Sequence, residues 1–141
     1  MIITKNNIIE HLNGNTPLSF SYVFRSEKDK GFISNHEVKV ELIQNGEIIT
    51  IPKGMYWDLS SVPKILWPVL PPYGDFLFGA KVHDYLYRYQ HHADQMGLYE
   101  ARKFADREML LWSDITNGGR KIDNRLRYRA CRMFGAKAYR T

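Results

Sequence analysis

The chain has 141 residues, 44% of them apolar and 25% charged, and a net charge of +5. These values fit one compact domain and exclude a collagen-like, disordered or linker-dominated protein. No apolar run is long enough to span a membrane, the N-terminus lacks the pattern of a signal peptide, and the lone Cys131 excludes an internal disulfide or a Cys-x-x-Cys redox motif.

The first part of the chain reads as strands, over about 18–52. Leu18–Phe24 and Val38–Ile43 alternate polar and apolar residues, the period-2 pattern of half-buried strands. Asn45-Gly46 precedes the apolar run Ile48–Ile51 and signals an antiparallel hairpin, because both residues tolerate positive φ. Lys28–Gly31 reads as an earlier loop. Residues of about 53–74 read as a longer one, since Pro63, Pro68, Pro71 and Pro72 remove backbone donors and extend the residues before them.

Three helices are predicted next, at about 75–92, 97–113 and 121–136, broken at Gly97 and at Asn117-Gly118-Gly119. Asp75 is a candidate cap for the first, and Asp123 belongs in the first turn of the third. The whole reads as an α+β fold.

Polar residues on apolar helix faces mark the candidate site. Phe76, Ala80, His83 and Tyr87 share one stripe of the first predicted helix, and Asp106 borders the stripe of Ala101, Phe104, Ala105 and Leu111 or Trp112 on the second. Antiparallel packing brings Asp106 opposite His83, where the carboxylate fixes the imidazole tautomer and leaves the other ring nitrogen as a base. Asp84, beside His83, is the candidate ligand for a cation that polarises a scissile carbonyl. The plainer reading makes His83 a satisfied core residue and Asp84 the partner of Arg88 in an ordinary i,i+4 ion pair. His91, His92 and Asp94 read as solvated surface.

Charge is concentrated at the end of the chain. Residues 120–141 carry net +7, which leaves −2 on the remainder. Arg125, Arg129 and Arg132 can share a helix face and are candidates to bind an anionic partner, either a membrane surface or a protein. Leu126, Tyr128, Met133 and Phe134 read as packing residues, which argues against a nucleic-acid interface.

Several blocks resemble a known family. Trp57-Asp58-Leu59-Ser60-Ser61-Val62-Pro63, Tyr73-Gly74, His83-Asp84-Tyr85-Leu86-Tyr87-Arg88, Ala105-Asp106 and Arg129–Gly135 are similar to successive blocks of the phage and prophage family catalogued as domain of unknown function 1353. This resemblance spans about 45–136. It implies a bacteriophage origin, residence in the bacterial host cytoplasm or the virion, phage structural proteins as partners, and supporting roles for Asp58 and Arg102. More distantly, His83-Asp84-x-x-Tyr87 followed by Asp106 resembles the catalytic helix pair of phospholipase A2, particularly the form in parvovirus capsid proteins. That resemblance implies His83 as general base, Tyr87 and Asp106 as its orienters, and Ca2+ on Asp84 with help from the Tyr73-Gly74 loop.

Two functions are therefore expected to compete. One is a hydrolase of esters or amides at the cell envelope. The other is a non-enzymatic virion or assembly component in which His83, Tyr87 and Asp106 form a structural network. The His83–Asp106 separation and the solvent access of both groups divide them, because a pair within reach but sealed from solvent cannot activate water.

Overall fold

Residues 1–12, 20–26, 29–57 and 77–140 are described by a computed structural model, with side chains 25, 26, 29, 30, 138 and 140 set aside. The chain divides into two units, Met1–Asp58 and Leu59–Thr141. Strands in the first and helices in the second make the fold α+β. The expected Asp75 cap, Phe76 at the head of the helical stripe, and Asp58, Tyr73 and Gly74 fall outside the described residues.

In the first unit, β1 (Ile2–Ile3) is followed by one turn of helix, α1 (Ile8–His11), then by β2 (Phe20–Ser26) and β3 (Asp29–Ser34). The remaining strands are β4 (Val38–Glu41), β5 (Ile48–Ile51) and β6 (Tyr56–Trp57). They form two three-stranded sheets, ordered β1-β4-β5 and β2-β3-β6. Alternation fixes the first sheet: Val38 pairs with Ile51 and Val40 with Ile49, and all four are buried. A one-residue slip would turn every one of them outward.

The β4–β5 hairpin closes with a longer loop than a two-residue Asn-Gly turn. The Leu42 N–H donates to Glu47 O at 2.7 Å and the Gly46 N–H to Leu42 O at 2.9 Å. Of the Asn45-Gly46 pair only Gly46 takes positive φ, at 73°. Asn45 contributes through its side chain, whose Oδ1 accepts the Glu47 N–H at 3.0 Å.

The expected loop over Lys28–Gly31 is corrected. Asp29, Lys30 and Gly31 belong to β3 and pair with Ser26, Phe24 and Val23 of β2. Glycine is needed there for a close approach: a Cβ on Gly31 would sit 2.5 Å from Trp57 O and 2.7 Å from the Tyr56 ring. Gly31→Ala is expected to cost about 1–3 kcal/mol by forcing β6 away. Urea unfolding checks this, and a loss of a few tenths would show that β6 is not held at that point.

In the second unit, α2 (Leu77–Arg88) is shorter than predicted. It ends in a left-handed cap, with the Gln90 N–H donating to Tyr87 O and the His91 N–H to Leu86 O. Gln90 takes φ 44° there, in a position glycine usually fills. A single turn, α3 (Ala93–Met96), then leads through Gly97 into α4 (Leu98–Thr116). A 3-10 turn at Gly118–Arg120 introduces α5 (Lys121–Phe134), and α6 (Ala136–Arg140) follows Gly135.

The α2 and α4 helices run antiparallel. Phe78 meets Trp112 with ring centroids 4.9 Å apart, Gly79 faces Met109 and Ser113, and His83 faces Asp106 further along. The buried side of α5 carries Asn124, Arg127, Ala130 and Cys131. Tyr139 of α6 packs edge-on against Tyr87, 5.0 Å between centroids.

Candidate functional site

Asp106 is the centre of the helical unit. Its Oδ1 accepts His83 Nε2–H at 2.8 Å and the Tyr87 hydroxyl at 2.5 Å. Its Oδ2 accepts Arg132 Nη1–H at 2.8 Å, and Arg102 Nη1 stands 3.8 Å away. One carboxylate thus ties α2, α4 and α5 together. His83 and Tyr87 reach it because they are four residues apart on one face of α2, the side turned to α4. Arg102 sits one turn before Asp106 and donates to Cys131 O at 2.9 Å and Arg132 O at 3.3 Å, holding late carbonyls of α5.

The site is sealed. Asp106 has no exposed surface and His83 only 3%. Burial alone disfavours a charged imidazole, but the Cys131 sulfur and the Asp106 carboxylate outweigh it and raise the His83 pKa from 6.5 to about 10. The shift favours the imidazolium, the form that donates to Asp106 and has no free lone pair for a proton. Burial, then the neighbouring carboxylate, push the Tyr87 hydroxyl well above its ordinary value, so it remains a donor. Burial works against the Arg132 charge, yet its bond to Asp106 prevails and raises its pKa.

His83, Asp106 and Cys131 bring one ligand-type atom each within 4.8 Å of the others. A metal ion does not suit them, because Arg132 already places a positive charge 2.8 Å from the carboxylate. Asp84 stands apart from this group. Its Oδ2 accepts from Arg88 Nη2 at 3.0 Å, the i,i+4 pair of the plainer alternative. Ca2+ takes six to eight oxygens, and among the described residues Asp84 belongs to no group of three or more His, Cys, Asp or Glu side chains that could hold a metal ion.

The structure redistributes the predicted roles. It brings His83, Tyr87, Asp106 and Arg102 together. Arg132, expected on an outward anionic-partner face with Arg125 and Arg129, instead turns inward onto Asp106. Arg125 and Arg129 remain exposed, and Arg125 lies 3.5 Å from Asp114. Leu126, Met133 and Phe134 are exposed too, contrary to the packing role expected of them. Sequence reading missed Cys131, Arg132 and Tyr139 as neighbours of the site. One usable signal was the Arg102–Asp106 spacing of four, which already offers the carboxylate a cation.

Fold and site define an α+β protein whose helical unit is built around one buried carboxylate shared by an imidazolium, a phenol and a guanidinium. The chain belongs to the family described as Protein of unknown function (DUF1353), whose family model matches residues 35–123. The matched span starts earlier and stops earlier than the block resemblance implied, leaving the Arg129–Gly135 block outside. It contains His83, Tyr87, Arg102 and Asp106, but not Arg132. Comparison with curated proteins and with solved structures gives no match.

Proposed function

We propose that this protein acts without turnover, as an assembly component in which the Asp106 network fixes the helix packing. One observation carries the reading: the His83–Asp106 pair is within hydrogen-bond reach yet sealed, with Asp106 wholly buried and His83 3% exposed. A buried carboxylate holding two cations and a phenol is a packing device, because removing any one partner strands the others. The block resemblance to phage and prophage chains supports phage structural proteins as partners, with the chain in the host cytoplasm or carried in the virion.

A second reading, hydrolysis at the cell envelope, is favoured by one feature. His83 and Tyr87 converge on the same oxygen of Asp106, the orienting arrangement that the phospholipase resemblance implies. In that reading His83 Nδ1 is the base, Asp106 and Tyr87 hold the ring, and no step is assigned to Ca2+.

The two readings part in one assay. The protein is incubated with phospholipid vesicles, with and without Ca2+, and released fatty acid is measured for the native chain and His83→Gln. No release is expected at any pH from 6 to 10. Release that is lost in folded His83→Gln, and that grows as pH rises towards the raised His83 pKa, would establish the hydrolase instead. Stoichiometric presence in purified particles supports the assembly role.

A further inference from the structure

The outer side of α5 carries an apolar row that is exposed among the described residues of the helical unit. Ile122, Leu126 and Met133 lie within about 40° of one another around the helix axis. Ile122 is 78% and Met133 72% exposed. Arg129 lies on the same line, and Lys121 and Arg125 flank it, all three exposed. The one acid on the helix, Asp123, is held by Arg120 at 2.8 Å. The opposite side, with Arg127, Ala130 and Cys131, is buried in the unit.

From this arrangement we infer that α5 docks on the surface of an anionic lipid bilayer. Three features select that occupant. The row joins exposed apolar side chains to exposed positive charge, which demands a partner both apolar and negative, as a headgroup–acyl boundary is. Half of α5 is already packed into its own unit, so the free half suits a plane and not a groove that encloses a helix. Arginine and lysine stems can lie along the apolar layer while their charges reach phosphates. A nucleic acid would leave Ile122 and Met133 without a partner. A second copy packed on the same row would bring the like charges Lys121, Arg125 and Arg129 of both copies together. None of these residues belongs to the Asp106 network, so the inference does not depend on what His83 does.

The test is co-sedimentation of the full chain with vesicles of phosphatidylcholine alone and of phosphatidylcholine mixed with phosphatidylglycerol. Binding is expected to the mixed vesicles only, and to weaken with added salt. Arg129→Gln should lower the partition about fivefold, and Met133→Ser about tenfold. Both sites are exposed, so circular dichroism should confirm unchanged folding. No binding, equal binding to both vesicles, or variants that bind like the native chain overturn the inference. So do retention by an acidic protein without vesicle binding, or self-association abolished by Met133→Ser. Those last outcomes assign the row to a protein contact and leave the assembly role standing, whereas fatty-acid release that depends on His83 removes that role and leaves the lipid contact intact.

Discussion

Asp106→Asn should be the most damaging single substitution in the helical unit. Asparagine keeps the shape of aspartate but removes the negative charge on which His83, Arg132 and Arg102 converge. His83 is buried and Arg132 and Arg102 largely so, so each would be left as a desolvated cation facing an amide. Breaking a buried ion pair from one side costs about 3–5 kcal/mol. For a chain of this size that corresponds to a fall of about 10–17 °C in Tm. Tyr87→Phe removes one neutral donor and leaves the charges paired, so its expected cost is about 1 kcal/mol. Thermal unfolding followed by near-ultraviolet circular dichroism reads both. If the two variants proved equal, or if Asp106→Asn cost under about 1 kcal/mol, the carboxylate would not be holding three helices together.

The sequence made the pairing of His83 with Asp106 legible, and physical chemistry explains why. An imidazole on the stripe of one helix and a carboxylate beside the stripe of the next must meet once the helices pack antiparallel, since neither is buried cheaply alone. The β4–β5 hairpin was legible for a similar reason: Val38, Val40, Ile49 and Ile51 all point inward in a single register.

What was not legible depended on contacts between segments far apart in the chain. Arg132 and Arg125 look alike in sequence, yet only the packing of α5 on α4 turns Arg132 inward. The end of α2 is hidden in the sequence because Gln90, not glycine, takes the left-handed cap. The strand at Gly31 resembles a loop because the close approach of Tyr56 and Trp57, which requires the glycine, lies 25 residues later. The exposure of Leu126 and Met133 is equally hidden, because apolar side chains on a short helix say nothing of which face finds a neighbour.

The contribution of His83 to stability should fall as the solution becomes alkaline. Its folded pKa, about 10, lies above the 6.5 of an unperturbed histidine. A group whose pKa rises on folding stabilises the native state fully below its unfolded value and loses that contribution as pH rises through its folded value. His83 meets Tyr87 on its own helix, Asp106 from α4 and Cys131 from α5, and Arg102 and Arg132 approach the far oxygen of the same carboxylate. Of these, the Cys131 sulfur and the Asp106 carboxylate favour the imidazolium against the cost of its burial. Between pH 7.5 and 9 the His83 contribution, read as the native chain minus His83→Gln, should fall by about 1.4 kcal/mol per pH unit, and the whole contribution is on the order of 5 kcal/mol; Lys81, whose pKa burial lowers to about 8, works the other way in both chains and cancels in the difference. The deficit of His83→Gln is therefore largest near pH 6 and shrinks towards pH 10. Urea unfolding at a series of pH values measures both chains. Parallel profiles would mean that His83 is neutral when buried, which would return it to the role of a base and with it the hydrolytic reading.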